Sequence, residues 1–295
     1  MFDLSQPRLL DGGLATALEA MGHDLADPLW SARLLLEDPA AIEAAHRAFV
    51  ESGAEVLTTA SYQASLPGLA ARGLERAEAL AVIERATALA RGATLGRAVA
   101  VAASAGPYGA FLADGSEYRG DYGVPLQTLV DFHALRMPAF AGADVVAFET
   151  VPCRIEAEAI ARACDQLPGE MPAWVSFSAL DDAHASSGEA IELCVASVLQ
   201  SPRVVAVGVN CCAPEHVLGL LTRIASVTDL PLVAYPNAGR RYHGGAWHGD
   251  PVDPAAFGRL VQAWIEAGAR LVGGCCQIDC AHLRAAKAAV QRPDA

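Results

Sequence analysis

The sequence has few basic residues. Its 21 lysines and arginines stand against 34 acidic residues, so that the 295-residue chain has a formal charge of −13. No run of lysine or arginine could bind a phosphate backbone, and we therefore expect no nucleic-acid partner. The acidic balance slightly favours a cationic small molecule over an anionic one as the ligand.

The chain also lacks long hydrophobic runs. No apolar stretch approaches the roughly 20 residues that a membrane helix needs. The first residues, MFDLSQPRLL, lack the basic start and apolar core of a signal peptide. We therefore expect a cytoplasmic protein with no membrane partner, in which the 8 cysteines are reduced. No long, exposed apolar helix stands out, and we expect a monomer.

Two common motifs are missing as well. A structural zinc finger would need C-x-x-C pairs, and a doubly wound dinucleotide-binding sheet would need G-x-G-x-x-G after its first strand. Hydrophobic residues nevertheless make up 53% of the chain, which is ample for a substantial core. The length suits one large domain or two small ones.

Short apolar runs alternate with helical segments along the chain. Such near-continuous runs are typical of strands in buried parallel sheets, and they predict strands at 8–10, 55–61, 98–104, 145–148, 174–178, 204–209, 232–235 and 271–273. Asp38-Pro39 gives the clearest helix start, because an N-cap aspartate precedes a proline at the first helical position. Eight strand-then-helix units predict a single (β/α)8 TIM-type barrel, one domain over residues 1–295. A doubly wound open sheet is the alternative.

Polar and thiol side chains collect at the carboxyl ends of the predicted strands, the rim where barrels hold their active sites. The members are Asp11, Ser61, Ser104, Glu149, Ser178, Asn210, Cys211, Asn237, Cys275 and Cys276. Closure of a barrel would place the last strand beside the first. Asp11 would then lie near Cys275 and Cys276.

Two irregular segments, 107–125 and 240–253, would overhang this rim. The first is rich in glycine, tyrosine and charge, and we predict that it forms a lid or binding loop. Aromatic faces attract a cation without forming a bond to it. The candidates for contact with a cationic substrate are therefore Tyr108, Tyr118, Tyr122 and Trp247. Packing within the loops is an equally good interpretation of any one of these rings.

Cysteines follow two of the predicted strands in pairs, in VGVNCC at 207–212 and GGCC at 273–276. Three thiols from neighbouring strand ends would bind a soft cation and leave its fourth position open, as in catalytic zinc sites. A single cysteine in an apolar run is as often a small hydrophobic residue. Two vicinal pairs are harder to explain in that way, and they indicate a zinc enzyme whose fourth ligand is its substrate.

Seven segments of the chain resemble the homocysteine S-methyltransferase family. They are DGGLAT at 11–16, TASYQAS at 59–65, GPYGAFLADGSEYRGDY at 106–122, ET at 149–150, GVNC at 208–211, YPNAG at 235–239 and GGCC at 273–276. The resemblance extends over nearly the whole chain. Its SEYRGDY segment is similar to the members that use S-methylmethionine rather than betaine.

The resemblance implies a zinc-dependent barrel that transfers a methyl group from a sulfonium donor to the thiol of L-homocysteine, forming methionine. It implies that the zinc ligands are Cys211, Cys275 and Cys276. It further implies that acidic residues bind the amino-acid end of homocysteine, at Asp11 and Glu149. Asn237 matches an asparagine with a supporting role near the metal.

The residue types suit this chemistry. The carboxylates of Asp11 and Glu149 can each accept an ammonium group, and Gly12 and Gly13 free backbone N–H groups at a helix start for the substrate carboxylate. Zinc removes the proton from a thiol that it binds, which turns a weak nucleophile into a thiolate. A turn at Asp11 and a salt bridge at Glu149 are the purely structural alternatives.

The sequence leaves alternatives for the methyl donor and for the kind of function. S-methylmethionine is favoured as the donor, and S-adenosylmethionine stays open. A non-catalytic zinc-binding or redox-sensing barrel is the second functional hypothesis, against which the acidic pair and the two loops argue. A zinc hydrolase is the third, and the all-sulfur ligand set argues against it.

Overall fold

The chain folds around a closed barrel of parallel strands. The computed structural model describes residues 2–239, 241–243 and 246–291, but not the side chains of 241–243 and 246–248. The barrel strands are β1 (Arg8–Leu9), β2 (Val56–Thr58), β3 (Ala100–Ala105), β4 (Val145–Val151), β5 (Ala173–Phe177), β6 (Val204–Asn210) and β7 (Leu232–Tyr235). A short hairpin follows, β8 (Arg241–His243) and β9 (Ala246–His248), before the last barrel strand, β10 (Ala269–Val272).

The strand order confirms the (β/α)8 barrel, and the open sheet was the wrong alternative. Neighbours pair in parallel in the order β1-β10-β7-β6-β5-β4-β3-β2. A parallel bridge between Leu10 and Val56 then joins the two ends of this sheet. The barrel is therefore closed, and β10 lies beside β1 as expected.

Helices cover the outside of the barrel. They are α1 (Leu14–Ala20), α2 (Leu34–Glu37), α3 (Pro39–Ser52), α4 (Leu66–Ala70), α5 (Arg76–Ala93), α6 (Tyr108–Leu112), α7 (Leu126–Ala134), α8 (Arg154–Ala163), α9 (Ile191–Val198), α10 (Val217–Ala225), α11 (Pro254–Glu266) and α12 (Cys280–Val290). At α3 the Asp38 carboxylate accepts the Ala41 N–H at 3.2 Å, and Gly53 ends the helix with a φ of 109°. Both ends are as the sequence predicts.

Some predicted boundaries were wrong. The helix predicted over 126–141 ends at Ala134, and a 3-10 helix follows at Met137–Phe140, because Pro138 has no N–H to continue an α-helix. The strand predicted over 55–61 ends at Thr58, where the backbone and side chain bond to the Asp11 carboxylate. The predicted loop 107–125 contains α6 and a 3-10 helix at Ser116–Tyr118, and the second loop contains the β8–β9 hairpin.

Side chains fill the barrel interior, so that it is a packed core and not a channel. Trp174 is its largest member, and its indole N–H donates to the Tyr235 hydroxyl at 3.2 Å. Phe2 stacks on Trp174 with ring centroids 6.1 Å apart. Polar groups collect above this core, at the carboxyl ends of the strands. Within the described ranges, no helix is long and apolar enough to cross a membrane.

Candidate active site

Three thiols meet at the carboxyl rim of the barrel. Cys211 follows β6, and Cys275 and Cys276 follow β10. The Cys276 sulfur lies 3.7 Å from that of Cys211 and 3.9 Å from that of Cys275, and all three sulfurs lie within 4.8 Å of one another. Tetrahedral zinc with bonds of about 2.3 Å to sulfur separates its ligands by roughly 3.8 Å. The spacing of the thiols therefore fits a single tetrahedral metal ion.

The protonation of these thiols indicates the same chemistry. The thiols of Cys275 and Cys276 donate toward Cys211 and lower its pKa well below the usual value for cysteine. The pKa values of Cys275 and Cys276 are raised, because each donates to a neighbouring sulfur and each is buried beside the charge on Cys211. The protein alone thus stabilises one thiolate, and three thiolates require a bound cation.

Two further cysteines of these segments lie apart from the three thiols. Cys212 is buried in the hydrophobic layer between the barrel and its helices, where burial raises the pKa of its thiol. The Cys280 thiol lies 3.6 Å from the backbone oxygen of Ala48 and contacts α3. Cys212 and Cys280 therefore take no part in the three-thiol cluster.

A side-chain bracket joins the ends of β4 and β6. The Asn210 side-chain oxygen accepts the Thr150 N–H at 2.7 Å, and its NH2 group donates to the Thr150 hydroxyl at 2.8 Å. Thr150 and Cys211 have φ values of 61° and 50°, in the left-handed region that non-glycine residues rarely adopt. Such strained conformations collect at functional sites. Here they occur at Cys211 itself and at Thr150, the residue after Glu149.

Glu149 is buried among hydroxyl groups. The Ser104 hydroxyl donates to one carboxylate oxygen, and the Tyr235 hydroxyl donates to the other at 3.0 Å. Burial raises the pKa of Glu149 to about 7, against the opposing effect of these two bonds, and the negative charge of Cys211 adds to the increase. The carboxylate therefore titrates near neutral pH.

Asp11 is the second buried carboxylate of the rim. Its oxygens accept the Thr58 N–H at 2.8 Å and the Thr58 hydroxyl at 3.0 Å. Burial raises its pKa well above the usual value, the bonds from Thr58 oppose this, and the charge of Glu149 adds to it. In the part of the chain that the structure describes, no basic side chain pairs with Asp11 or Glu149. Their negative charges are therefore not neutralised by a described basic side chain.

Gly12 and Gly13 lie where the chain passes close to the segment after β10. A Cβ atom on Gly12 would come 2.5 Å from the Ile278 carbonyl oxygen, and one on Gly13 would come 2.7 Å from that of Cys275. The Gly13 N–H already donates to the Ile278 oxygen at 2.9 Å. It is therefore not available to a ligand in this conformation, and both residues make room for the thiol segment.

Asn237 supports the loop that contains Cys211. Its NH2 group donates to the Cys211 backbone oxygen at 3.4 Å, and its side-chain oxygen accepts the Gly239 N–H at 2.8 Å. Both polar ends of this side chain are therefore bonded to the backbone. The structure places Asn237 beside a thiol residue, with a direct hydrogen bond to it.

The segment 106–122, the lid segment hereafter, presents one of the four candidate aromatic residues to the thiols. The Tyr118 hydroxyl lies 3.7 Å from the Cys211 sulfur, although 46% of this residue remains exposed. The Tyr108 ring instead packs edge-on against the rings of Phe111, Tyr122 and Phe132. The side chain of Trp247, another of the candidates, lies outside the described residues.

A buried ionic network beneath the lid segment was missing from the sequence prediction. Glu156 is fully buried and accepts the Tyr108 N–H at 2.6 Å, the Tyr122 hydroxyl at 2.5 Å and a ring N–H of His133 at 2.9 Å. Arg136 donates to the other nitrogen of His133 at 3.0 Å and to the Gly106 oxygen at 2.5 Å. One signal was available, since Glu156 shares a face of α8 with apolar residues at helical spacing.

Comparison with known proteins gives consistent results. The family model described as homocysteine S-methyltransferase matches residues 8–290. The chain is 42% identical over 284 residues to homocysteine S-methyltransferase YbgG of Bacillus subtilis (strain 168), covering 91% of this chain and 90% of that protein. It is 40% identical over 300 residues to a selenocysteine Se-methyltransferase of Brassica oleracea var. italica, covering 94% and 87%. The metallated form of the homocysteine methyltransferase MmuM from Escherichia coli superposes with a TM-score of 0.85 at 42% identity, covering 96% of each chain.

Proposed function

The chain belongs to the homocysteine S-methyltransferase family, and on that premise we propose that it transfers a methyl group from a sulfonium donor to L-homocysteine with the help of zinc. The product is methionine. The observation that supports zinc most directly is the spacing of three sulfurs at the distances that one tetrahedral ion requires. The solved relative in a metallated form adds to this support.

The proposed ligands are Cys211, Cys275 and Cys276, each through its sulfur. Thiolates suit zinc among the common metals, and three protein ligands leave one position for the substrate. Zinc, when bound, would supply the deprotonation of the homocysteine thiol at neutral pH. The all-sulfur ligand set gives a weaker Lewis acid than histidines would, which favours a nucleophilic sulfur over hydrolysis.

We propose that Asp11 and Glu149 hold the ammonium group of homocysteine. Both carboxylates are buried at the rim without a basic partner among the described side chains, and the hydroxyl groups around them fix their orientation. An ammonium group bound there would favour the ionised form of Glu149. Gly12 and Gly13 contribute space for the thiol segment, and Asn237 keeps the loop of Cys211 in place.

Methyl transfer then needs the donor in line with the acceptor sulfur. The homocysteine sulfur forms a bond to the methyl carbon, while the bond from that carbon to the sulfonium sulfur breaks and its electron pair returns to the donor. The thiol proton leaves to solvent. Positioning of the two reactants can lower the barrier of such a reaction by several kcal/mol. The largest contribution, for ideally oriented reactants, is on the order of 7–11 kcal/mol.

The lid segment is the proposed binding surface for the donor. The Tyr118 ring stands beside Cys211, where it can attract the sulfonium cation, and Tyr108 and Trp247 are further donor-binding residues of this proposal on the basis of the sequence alone. We propose S-methylmethionine as the donor, because SEYRGDY resembles the members that use it. S-adenosylmethionine is the donor to test against it.

The remaining proposals concern the protein as a whole. Residues 1–295 form one homocysteine-binding domain that acts as a cytoplasmic monomer on small-molecule substrates. Neither a membrane nor a nucleic acid is a partner. The formal charge of −13 supports the last point.

The first experiment is a donor comparison. Purified protein loaded with one zinc ion is given homocysteine and, in separate reactions, S-methylmethionine, S-adenosylmethionine or betaine, and methionine formation is measured. We expect turnover with S-methylmethionine at the highest kcat/KM. Protein that holds zinc but transfers a methyl group from none of these donors would instead support the non-catalytic zinc-binding barrel.

A further inference from the structure

One carboxylate of the lid segment has a buried oxygen without a donor. The Oε2 atom of Glu117 is inaccessible to solvent, and no group within the described ranges donates a hydrogen bond to it. The nearest basic residue in sequence, Arg119, pairs with Asp114 at 3.6 Å and is 56% exposed. The backbone N–H of Glu117 bonds to its own carboxylate, and Arg119 acts on it only through space. Because a buried oxygen without a donor is costly, the Oε2 atom calls for a cationic partner.

Glu117 lies beside the proposed active site. Its sequence neighbour Tyr118 reaches the Cys211 sulfur with its hydroxyl. Burial raises the pKa of Glu117, and the negative charge of Cys211 adds to the increase. Glu117 in turn raises the pKa of Tyr62, which burial already raises. Such charge effects weaken with distance, and they agree with the position beside Cys211 that the Tyr118 contact gives this turn.

The backbone around Glu117 is firmly held. The Ser178 hydroxyl donates to the Glu117 carbonyl oxygen at 3.0 Å. A Cβ atom on Gly109 would come 2.4 Å from the Glu117 nitrogen, so α6 packs directly on this turn. The ends of the lid segment are bonded to Glu156 through Tyr108 and Tyr122. The backbone of this turn is therefore fixed. Because the Oε2 atom is closed to solvent, a ligand can meet it only if the Glu117 side chain turns about its own bonds.

We propose that Glu117 binds the ammonium group of the methyl donor, an inference that rests on the proposed function. The sulfonium charge disappears during transfer, and a carboxylate bonded to it would stabilise the ground state over the transition state. The ammonium group keeps its charge throughout, so a bond to it strengthens donor binding without slowing the reaction. Betaine carries no N–H on its quaternary nitrogen and could not donate this hydrogen bond.

The test compares Glu117→Gln with the wild-type protein, both loaded with zinc. We expect the KM for S-methylmethionine to rise about 10-fold or more, as for the loss of a charge-assisted hydrogen bond. The kcat should stay within about 3-fold, because the bond is equally strong in the bound substrate and in the transition state. The KM for homocysteine should stay within about 2-fold, because the bond is made to the donor alone. Glu170→Gln removes an exposed charge that pairs with Arg203 outside the lid segment and should change none of these constants.

Two further measurements distinguish an effect on donor binding from an effect on protein stability and from an effect on catalysis. Glu117→Asp keeps the charge and should recover part of the affinity, while the thermal midpoint of Glu117→Gln should not fall, because the variant removes a buried unpaired charge. Calorimetric titration with S-methylmethionine alone gives donor affinity without catalysis. A wild-type protein that binds the donor without transferring its methyl group would contradict the proposed function but leave the role of Glu117 to be decided by the titration.

The inference fails on any of three results. Glu117→Gln could bind S-methylmethionine as tightly as the wild type. The KM for homocysteine could rise in place of the donor KM, which would make Glu117 an acceptor ligand. The wild-type protein could show no affinity for the donor in the titration.

Discussion

The amide of Asn210 brackets Thr150 across the barrel rim, accepting its N–H at 2.7 Å and donating to its hydroxyl at 2.8 Å. The two residues end strands that are not neighbours, since β5 lies between β4 and β6. Glu149 precedes Thr150 and Cys211 follows Asn210. The bracket therefore sets the position of a proposed substrate ligand relative to that of a proposed metal ligand.

Asn210→Ala is expected to lower the free energy of unfolding by roughly 2–4 kcal/mol. The substitution leaves the buried N–H of Thr150 without an acceptor, and such a loss costs about 1–3 kcal/mol for each group. Denaturant unfolding measures the change. Thr222→Ala, which removes an exposed hydroxyl bonded to Leu218, should cost far less, and equal losses in the two variants would contradict the role of the bracket.

Cys275→Ser should lose both zinc and activity, whereas Cys280→Ser should keep both. The first thiol lies in the three-sulfur cluster, and the second contacts the backbone of α3. Zinc content per chain and methionine formation are measured on both variants after the same purification. Full zinc occupancy and turnover in Cys275→Ser would show that the ligand assignment is wrong.

Glu149 should make the metal-free protein less stable as the pH rises. Its pKa is about 7 in the folded protein against a usual value of 4.5, so the folded state binds the proton more tightly than the unfolded state. The resulting stabilisation is fully present below about pH 4.5 and is lost as the pH rises through 7. Relative to wild type, Glu149→Gln should therefore gain about 2–3 kcal/mol between pH 5 and pH 8.

The stability difference is obtained from the free energy of unfolding at the two pH values. Glu158→Gln, on the exposed side of α8 and paired with Arg162, serves as the matched control and should show no comparable gain. If the difference between Glu149→Gln and wild type were independent of pH, Glu149 would not be the group that titrates.

Tyr118→Ala should lower kcat/KM for the sulfonium donor by about 2- to 30-fold, which corresponds to a cation–π contribution of roughly 0.5–2 kcal/mol. Tyr118→Phe keeps the ring and should stay close to the wild type. Steady-state kinetics with the donor varied at saturating homocysteine distinguish the two variants. A loss in Tyr118→Phe as large as that in Tyr118→Ala would show that the hydroxyl beside Cys211, and not the ring, is the group that matters.

The barrel and the positions of its thiols could be predicted from sequence because both follow from local patterns. Each strand is an apolar run, and Cys211, Cys275 and Cys276 come directly after two such runs. Once β10 closes against β1, the approach of Asp11 to the thiol segment follows from topology. The hydrogen bond from the Gly274 N–H to the backbone oxygen of Asp11, at 3.1 Å, confirms this approach.

The choice between tyrosines could not be predicted. Tyr108 and Tyr118 lie in one segment of similar composition, and the ring that turns to the thiols is decided by contacts with distant elements. Glu156 on α8 holds the Tyr108 backbone, and His133 and Arg136 complete the network from α7 and the turn after it. No local pattern predicts bonds among residues so far apart in the sequence.

The attachment of the lid segment to Glu156 bears on how substrates enter. The Tyr108 N–H is bonded to a carboxylate that is wholly buried, so its exchange with deuterated solvent requires the helix layer itself to open. We expect this amide to exchange as slowly as those of the barrel strands. Substrates would then reach the thiols past the exposed ring of Tyr118, without the whole segment lifting from the barrel.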